Sequence, residues 1–267
     1  MNAAAERKAK FLPKFMDLLK RPLDEQLECF LKAFIFQLQG NEWQKVVQLA
    51  DHFQKYVRDG GEGRSDLNVV QASDFLQKHG LTRTASERSA EIKDIDLDAD
   101  QRISLIEYLL LHYKAMILIS YHQRTGEAET YDLSNGAIGV TNVGDKLLEE
   151  LFTAAAGVDP EIEAALEEFT AMKKARQTKI EDLEKRAEQG GVKGMAAKNE
   201  LEQVSREDLT GLNRVEITLN AAKRRAAKNS GELALKSKKQ QEEEEEKRKR
   251  AEGRARLSEK AAMFGQK

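Results

Sequence analysis

Cysteine, proline and aromatic residues are scarce in this chain, and none of its apolar runs is long. Cys29 is the single cysteine among 267 residues, which rules out an internal disulfide. It lies in the apolar run ECFLKAFIF and reads as a core thiol in a reducing compartment. The only prolines are Pro13, Pro22 and Pro160, so long helices are permitted between Pro22 and Pro160 and again beyond it. No apolar run approaches the roughly 18 residues that span a bilayer. The opening MNAAAERKAKFLPKF lacks the apolar middle of a signal peptide. A cytoplasmic protein with no membrane partner is expected. The four histidines, His52, His79, His112 and His122, form no metal or triad pattern with Cys29 or with a serine elbow. The chain is therefore not expected to be an enzyme.

Charge is abundant: 34% of residues are Asp, Glu, Lys or Arg, and mean hydropathy is -0.63. This is the composition of helical and coiled-coil proteins. The signs are unevenly spread. Residues 1–160 hold 19 Lys/Arg against 25 Asp/Glu, a net -6, and residues 161–267 hold 25 against 21, a net +4. Such halves attract each other, or the basic one attracts an acidic partner.

Apolar residues recur in steps of three and four. Leu27, Phe30, Leu31, Phe34, Ile35 and Leu38 predict a largely buried helix over 24–38, and Trp43 to Val57 another over 42–58. A glycine-rich loop, DGGEGRSD, separates these from a helix over 67–79. Ser86 to Ile95 and Leu105 to Tyr121 are read as the helices on either side of an acidic loop. Residues 122–142, with TGEAETYDLSNGAIGVTN, show no sustained period and read as a linker or a poorly ordered insertion. The NGAIG and NVG pieces lack the preceding strand and spaced acid of a nucleotide loop. A short helix over 145–156 follows. From Pro160, Ile162, Leu166, Phe169, Met172, Ile180, Leu183 and Ala187 form a seam. GGVKG breaks it, and a second seam runs through Leu212, Val215, Leu219, Ala222 and Ala226 of a helix from about Met195 to Lys228. Two such seams predict an antiparallel hairpin or coiled coil. In EEEEEKRKR, Glu243 to Glu246 each precede a Lys or Arg by four residues. Each pair supports a solvated helix by about 0.2–0.5 kcal/mol.

The stretch DLDADQRISLIE, Asp96 to Glu107, has the spacing of a calcium loop. Such a loop takes ligands from positions 1, 3, 5, 7, 9 and 12. These positions are Asp96, Asp98, Asp100, the carbonyl of Arg102, Ser104 acting through water, and Glu107. Calcium is a hard cation that takes six to eight oxygens, and alternate aspartates converge on one ion. Ile103, at the eighth position, suits a short strand paired with a neighbouring loop. Gln101 stands where glycine is usual. Its Cβ costs on the order of 1 kcal/mol in a left-handed backbone, which weakens binding by up to roughly tenfold and predicts micromolar affinity. The upstream DGGEGRSDLNVVQ reads as a degenerate partner in which Leu67 pairs with Ile103. Asp59, Glu62 and Asp66 have the wrong spacing there, and Gln71 stands where the last acid belongs.

RISLIEYLLLHYK leaving the loop, GGVKGMAAKNELEQV further on, and a helix ending NAAKRRAAKNSG together resemble the calcium-regulated actin-bundling proteins of amoebae, over roughly residues 24–121 and 161–230. The resemblance implies a monomeric F-actin cross-linker whose bundling calcium reduces. It implies an actin-contacting region within residues 161–228, centred on Lys193, Met195, Lys198, Asn199 and Leu201. Actin filaments are acidic, so the basic residues that follow, Arg214, Lys223, Arg224, Arg225 and Lys228, suit the same partner.

The expected fold is all-α. Residues 1–121 hold N-terminal helices and an EF-hand pair, one loop degenerate. Residues 122–160 are a linker with a short helix, 161–230 an actin-binding helical hairpin, and 231–267 a charged helical or disordered tail. Two other readings compete. One is an EF-hand calcium sensor that binds a partner other than actin through its C-terminal coiled coil. The other is nucleic-acid binding through KRKR and RAR, which the adjoining glutamate run and the lack of a stacking platform oppose.

Overall fold

The three-and-four spacing becomes helix almost throughout the computed structural model, which describes residues 3–38, 42–60, 64–81, 83–157 and 160–206, together with 217, 218, 220–222, 224 and 225. In chain order the elements are α1 (Ala3–Leu19), α2 (Leu23–Phe34), α3 (Glu42–Asp59), β1 (Leu67–Asn68), α4 (Val69–His79), α5 (Ala85–Ile95), β2 (Arg102–Ile103), α6 (Leu105–His112), α7 (Lys114–Thr125), α8 (Gly144–Ala155), α9 (Pro160–Glu188) and α10 (Gly191–Arg206). The chain divides into two units, residues 1–219 and 220–267. The expected tail, residues 231–267, lies outside the described residues. No described helix is long and apolar enough to cross a membrane.

Local chemistry starts several of these helices. Asn68 and Gln71, Thr84 and Glu87, and Ser104 and Glu107 each form a reciprocal capping box, opening α4, α5 and α6. α1, which the sequence reading had left unassigned, buries Phe11, Phe15 and Leu18 along one face. Pro13 sits inside it but on the exposed side, where water can meet the carbonyl that proline leaves unbonded. At the centre lies α6, buried from Leu105 to Leu111. Around it Phe53, Phe75 and Tyr108 make edge-on and tilted ring contacts. Cys29, expected in the core, is only half-buried.

The single helix expected over Leu105 to Tyr121 is two. Tyr113 leaves the helical region at φ -100° and ψ 17°, and the break turns Lys114 inward. There its Nζ donates to Glu91 Oε1 at 2.7 Å and to the Val140 carbonyl at 2.7 Å. Arg83 also donates to Glu91. All three side chains are almost fully buried, and burial lowers the Lys114 pKa against the pull of Glu91. Periodicity does not register such a triad, because Arg83 and Lys114 lie 8 and 23 residues from Glu91 and only the fold brings them together.

Two further expectations change. Residues 126–143 carry no helix, but Ala137 and Val143 are buried and the Gly139 N–H donates to Glu91 at 2.8 Å. The expected linker is thus seated on the helices it was thought to separate. Behind it α8 stacks Phe152 on Phe11, so the boundaries expected near residues 121 and 160 fall inside one unit. The long seam after Pro160 also divides. Ile162, Leu166 and Phe169 face the N-terminal helices, with Phe169 edge-on to Trp43 at 5.4 Å. Only Ile180, Leu183 and Ala187 meet α10, at Ala197, Leu201 and Val204. The break between the two helices is the pair Gly190 and Gly191, both at positive φ, and GVKG belongs to α10.

Removing one member of a buried charge group strands the others. Glu91→Ala is expected to lower unfolding free energy by about 3–5 kcal/mol, read as a shifted midpoint in urea denaturation.

Candidate functional site

The acidic loop forms where α5 ends. Asp96 caps that helix, and its carboxylate then organises the turn: it accepts from Asp100 N at 3.1 Å and from Gln101 N at 3.0 Å. Asp98 accepts from Asp100 N at 3.3 Å, and Asp100 from Arg102 N at 2.7 Å. Gln101 has φ 62°, as its position required, but Ala99 has φ 60° as well. Two Cβ atoms therefore carry the left-handed cost, on the order of 1 kcal/mol each. The sequence reading flagged only the first.

Asp96, Asp98 and Glu107 each bring a carboxylate oxygen within 4.8 Å of the others, one such group among the described residues. Asp98 and Glu107 line a cavity of about 190 Å³ together with Asp100, Arg102 and Ser104. Both oxygens of Glu107 are already held. Oε2 accepts from Ser104 N and Oγ at 2.9 Å, and Oε1 accepts from Leu97 N at 3.2 Å. The carboxylate is thus aimed into the loop by the same bonds that start α6. Burial pushes the Glu107 carboxyl up to about 8, against those hydrogen bonds. Burial also pushes Asp98 up to about 6, with the charges of Asp100 and Asp96 adding to the rise. An all-oxygen, acid-rich donor set of this kind fits a hard divalent cation.

The upstream loop pairs with this one through a two-residue antiparallel ribbon, Leu67 opposite Ile103 and Asn68 opposite Arg102. Leu67 is the expected partner. Gln71 serves as the reciprocal cap of Asn68, in the place that Glu107 takes for Ser104. Asp66 receives the Arg102 guanidinium, and its carbonyl accepts from Nη2 at 3.2 Å. Buried Gln26 adds a link from below. Its Oε1 accepts from Ile106 N at 3.1 Å, and its Nε2 donates to the Arg21 carbonyl at 3.0 Å, tying the α1–α2 corner to the start of α6. Neither link has a sequence signal, since both join residues far apart in the chain.

The second candidate surface is the outer face of α10. Gly194, Ala197, Leu201 and Val204 turn inward, and a Cβ on Gly194 would lie 3.0 Å from the Ala187 carbonyl. Leu201, expected as a contact, belongs to this seam. On the opposite side Val192 is 86% and Met195 69% exposed, and Ala196, Asn199 and Gln203 continue the stripe. Five successive uncharged positions on one ridge stand out in a chain so rich in charge. Lys193 and Lys198 are exposed on its flanks. Val192 was overlooked, although it lies three residues before Met195. Arg224 and Arg225 are exposed helical residues of the second unit. Arg214, Lys223 and Lys228 lie outside the described residues.

A protein-family model described as F actin bundling C terminal matches residues 102–262, more than half of the chain. A solved structure, the 34 kDa F-actin bundling protein from Dictyostelium discoideum, is similar over 84% of this chain and 90% of that one, at 22% identity and a TM-score of 0.41. No curated protein matches.

A carboxyl whose pKa rises on folding holds its proton in the folded chain. Its favourable share of stability is present below the unfolded value and lost as pH rises through the folded one. For Glu107 that window runs from the usual 4.5 to about 8. In chelator, wild-type stability is expected to fall relative to Glu107→Gln between about pH 5 and pH 8, as measured by urea denaturation across that range.

Proposed function

The chain belongs to the family whose model is described as F actin bundling C terminal, and on that ground we propose that it binds F-actin and gathers filaments into bundles, with calcium as an off-switch. The family match is the observation that carries the actin part. It includes α10 with its uncharged outer stripe, and Val192 and Met195 are the anchors of the filament contact, with Lys193 and Lys198 steering an acidic surface onto it. Bundling by one chain needs a second filament contact, which the family resemblance puts on additional N-terminal surface.

The match begins at Arg102, inside the acidic loop, and so leaves out Asp96, Asp98 and Asp100. The calcium part rests instead on the loop itself, read as the working member of an EF-hand pair. Asp96, Asp98, Asp100, the Arg102 carbonyl, Ser104 and Glu107 would hold the ion, which would supply a divalent positive centre among these oxygens. Deprotonating Glu107, whose carboxyl burial pushes up to about 8, couples binding to proton release. Drawing Asp96 and Asp98 toward Glu107 shifts the end of α5 against the start of α6.

The same unit carries α9. Lys32 bonds Glu163 and Glu167, Lys173 pairs with Asp51 at 2.6 Å, and Arg58 lies 3.6 Å from Glu184. A change among the N-terminal helices therefore reaches the root of the hairpin that presents α10. The sign of the effect, less bundling with calcium, is the one that the resemblance implies.

Low-speed sedimentation with actin filaments pellets bundles and leaves single filaments in solution. Actin is expected to pellet in chelator and much less in calcium, and Glu107→Gln is expected to pellet it in both. A Glu107→Gln chain that still loses bundling when calcium is added would exclude this loop as the switch. For the contact, Val192→Glu with Met195→Glu is expected to weaken filament binding by about tenfold or more, measured by high-speed co-sedimentation. Unchanged binding would move the contact off α10.

A further inference from the structure

We propose that residues 136–143 form a strap that makes α5, the helix entering the acidic loop, and α8 one mechanical unit, so that rearrangement of the loop is passed to α8; this rests on the calcium reading above. The segment takes in most of the NGAIG and NVG pieces, residues 135–139 and 142–144. Four of its residues sit in the left-handed region: Gly136 at φ 76°, Ala137 at 58°, Gly139 at 78° and Asn142 at 59°. Two of them carry a Cβ, and such backbone persists only where its surroundings hold it.

What holds it is one face of α5. The Gly139 N–H donates to Glu91 at 2.8 Å, and the Asn142 N–H donates to Asp94 Oδ1 at 2.7 Å. At Gly144 a Cβ would come within 2.5 Å of Leu97 Cδ2 and 3.5 Å of the Asp94 carbonyl. Glu91 and Asp94 lie three residues apart on one side of α5, and Leu97 follows just past its end at Ile95, so the strap runs lengthwise along the helix to the loop. Lys114 cross-braces it, bonding both Glu91 and the Val140 carbonyl. The last of these contacts, at Leu97, is inside the loop, between Asp96 and Asp98.

At its other end the strap runs directly into α8. That helix is seated on α1 by Phe152 on Phe11 and by Arg7, which pairs with Asp145 at 3.3 Å and Glu149 at 2.9 Å. It is joined to α7 by Glu150, which accepts from Ser120 at 2.7 Å and Arg124 at 2.8 Å. Turning α5 about its axis breaks the strap bonds in sequence. Shifting α5 together with the strap keeps them and carries the start of α8 along. The second course breaks fewer hydrogen bonds, so the loop's movement appears at α8.

The test is hydrogen exchange by mass spectrometry, with and without calcium, on peptides covering the loop (96–107) and α8 (145–155) of the full chain. In the wild type both are expected to change their exchange on calcium addition, α8 by about tenfold, within the usual range of coupling between sites. Asp94→Ala removes the acceptor of the Asn142 N–H. It is expected to leave the loop response in place and reduce that of α8 to less than about twofold. Asp94→Asn, which retains an acceptor, is expected to restore it. An α8 that is silent in the wild type while the loop responds overturns the strap, as does an α8 response that survives Asp94→Ala. A wild-type loop that does not respond overturns the calcium reading, and transmission with it.

Discussion

A carboxylate removed from water has to be met by donors on every side, and Glu91 is the one on which the organisation of the N-terminal unit depends. Arg83, Lys114 and the Gly139 N–H converge on it. Each comes from a different part of the chain: the approach to α5, the start of α7 and the irregular stretch before α8. Satisfying Glu91 therefore brings three segments together. The break at Tyr113 follows from the need to turn Lys114 inward, and the path of residues 136–143 follows from the need to present Gly139. An apolar residue at the same place would gain burial but would specify none of these directions.

The acidic loop uses its residues in a similarly economical way. The capping box of Ser104 and Glu107 starts α6 and at the same time fixes the last carboxylate of the loop. In the upstream loop Asn68 and Gln71 make the same box with an amide. The structural half of the motif is thus kept in both loops, and the acid only in one. The upstream loop thus supports the ribbon between Leu67 and Ile103 with an amide where the acidic loop has Glu107. Glu107 and Asp98 are held in place but at raised pKa, because burial disfavours their charged forms.

α9 joins the two kinds of surface. It has 29 residues, about 43 Å at the usual rise. Its first half is part of the N-terminal core through Ile162, Leu166 and Phe169, and its second half is the partner of α10. Because the helix is continuous, the stripe of Val192 and Met195 is set in direction by Trp43 and Lys32, far from it in sequence.

Regular spacing made much of this legible in advance. The helix over 42–58, most of the one expected over 67–79, the acidic turn after α5, and the pairing of Leu67 with Ile103 could be read from residue order, because each depends on neighbours within a turn or two or on a two-residue register. The left-handed need at Gln101 was readable for the same reason. What tertiary structure alone decided was the partner of each face. Ile162 and Ile180 look alike in a periodic pattern, yet one is buried in the part of α9 that packs on α2 and the other faces α10. Glu91, Lys114 and Gly139 carry no local signal, because a buried ion group is defined by what surrounds it in space, and sequence spacing records only what lies adjacent along the chain.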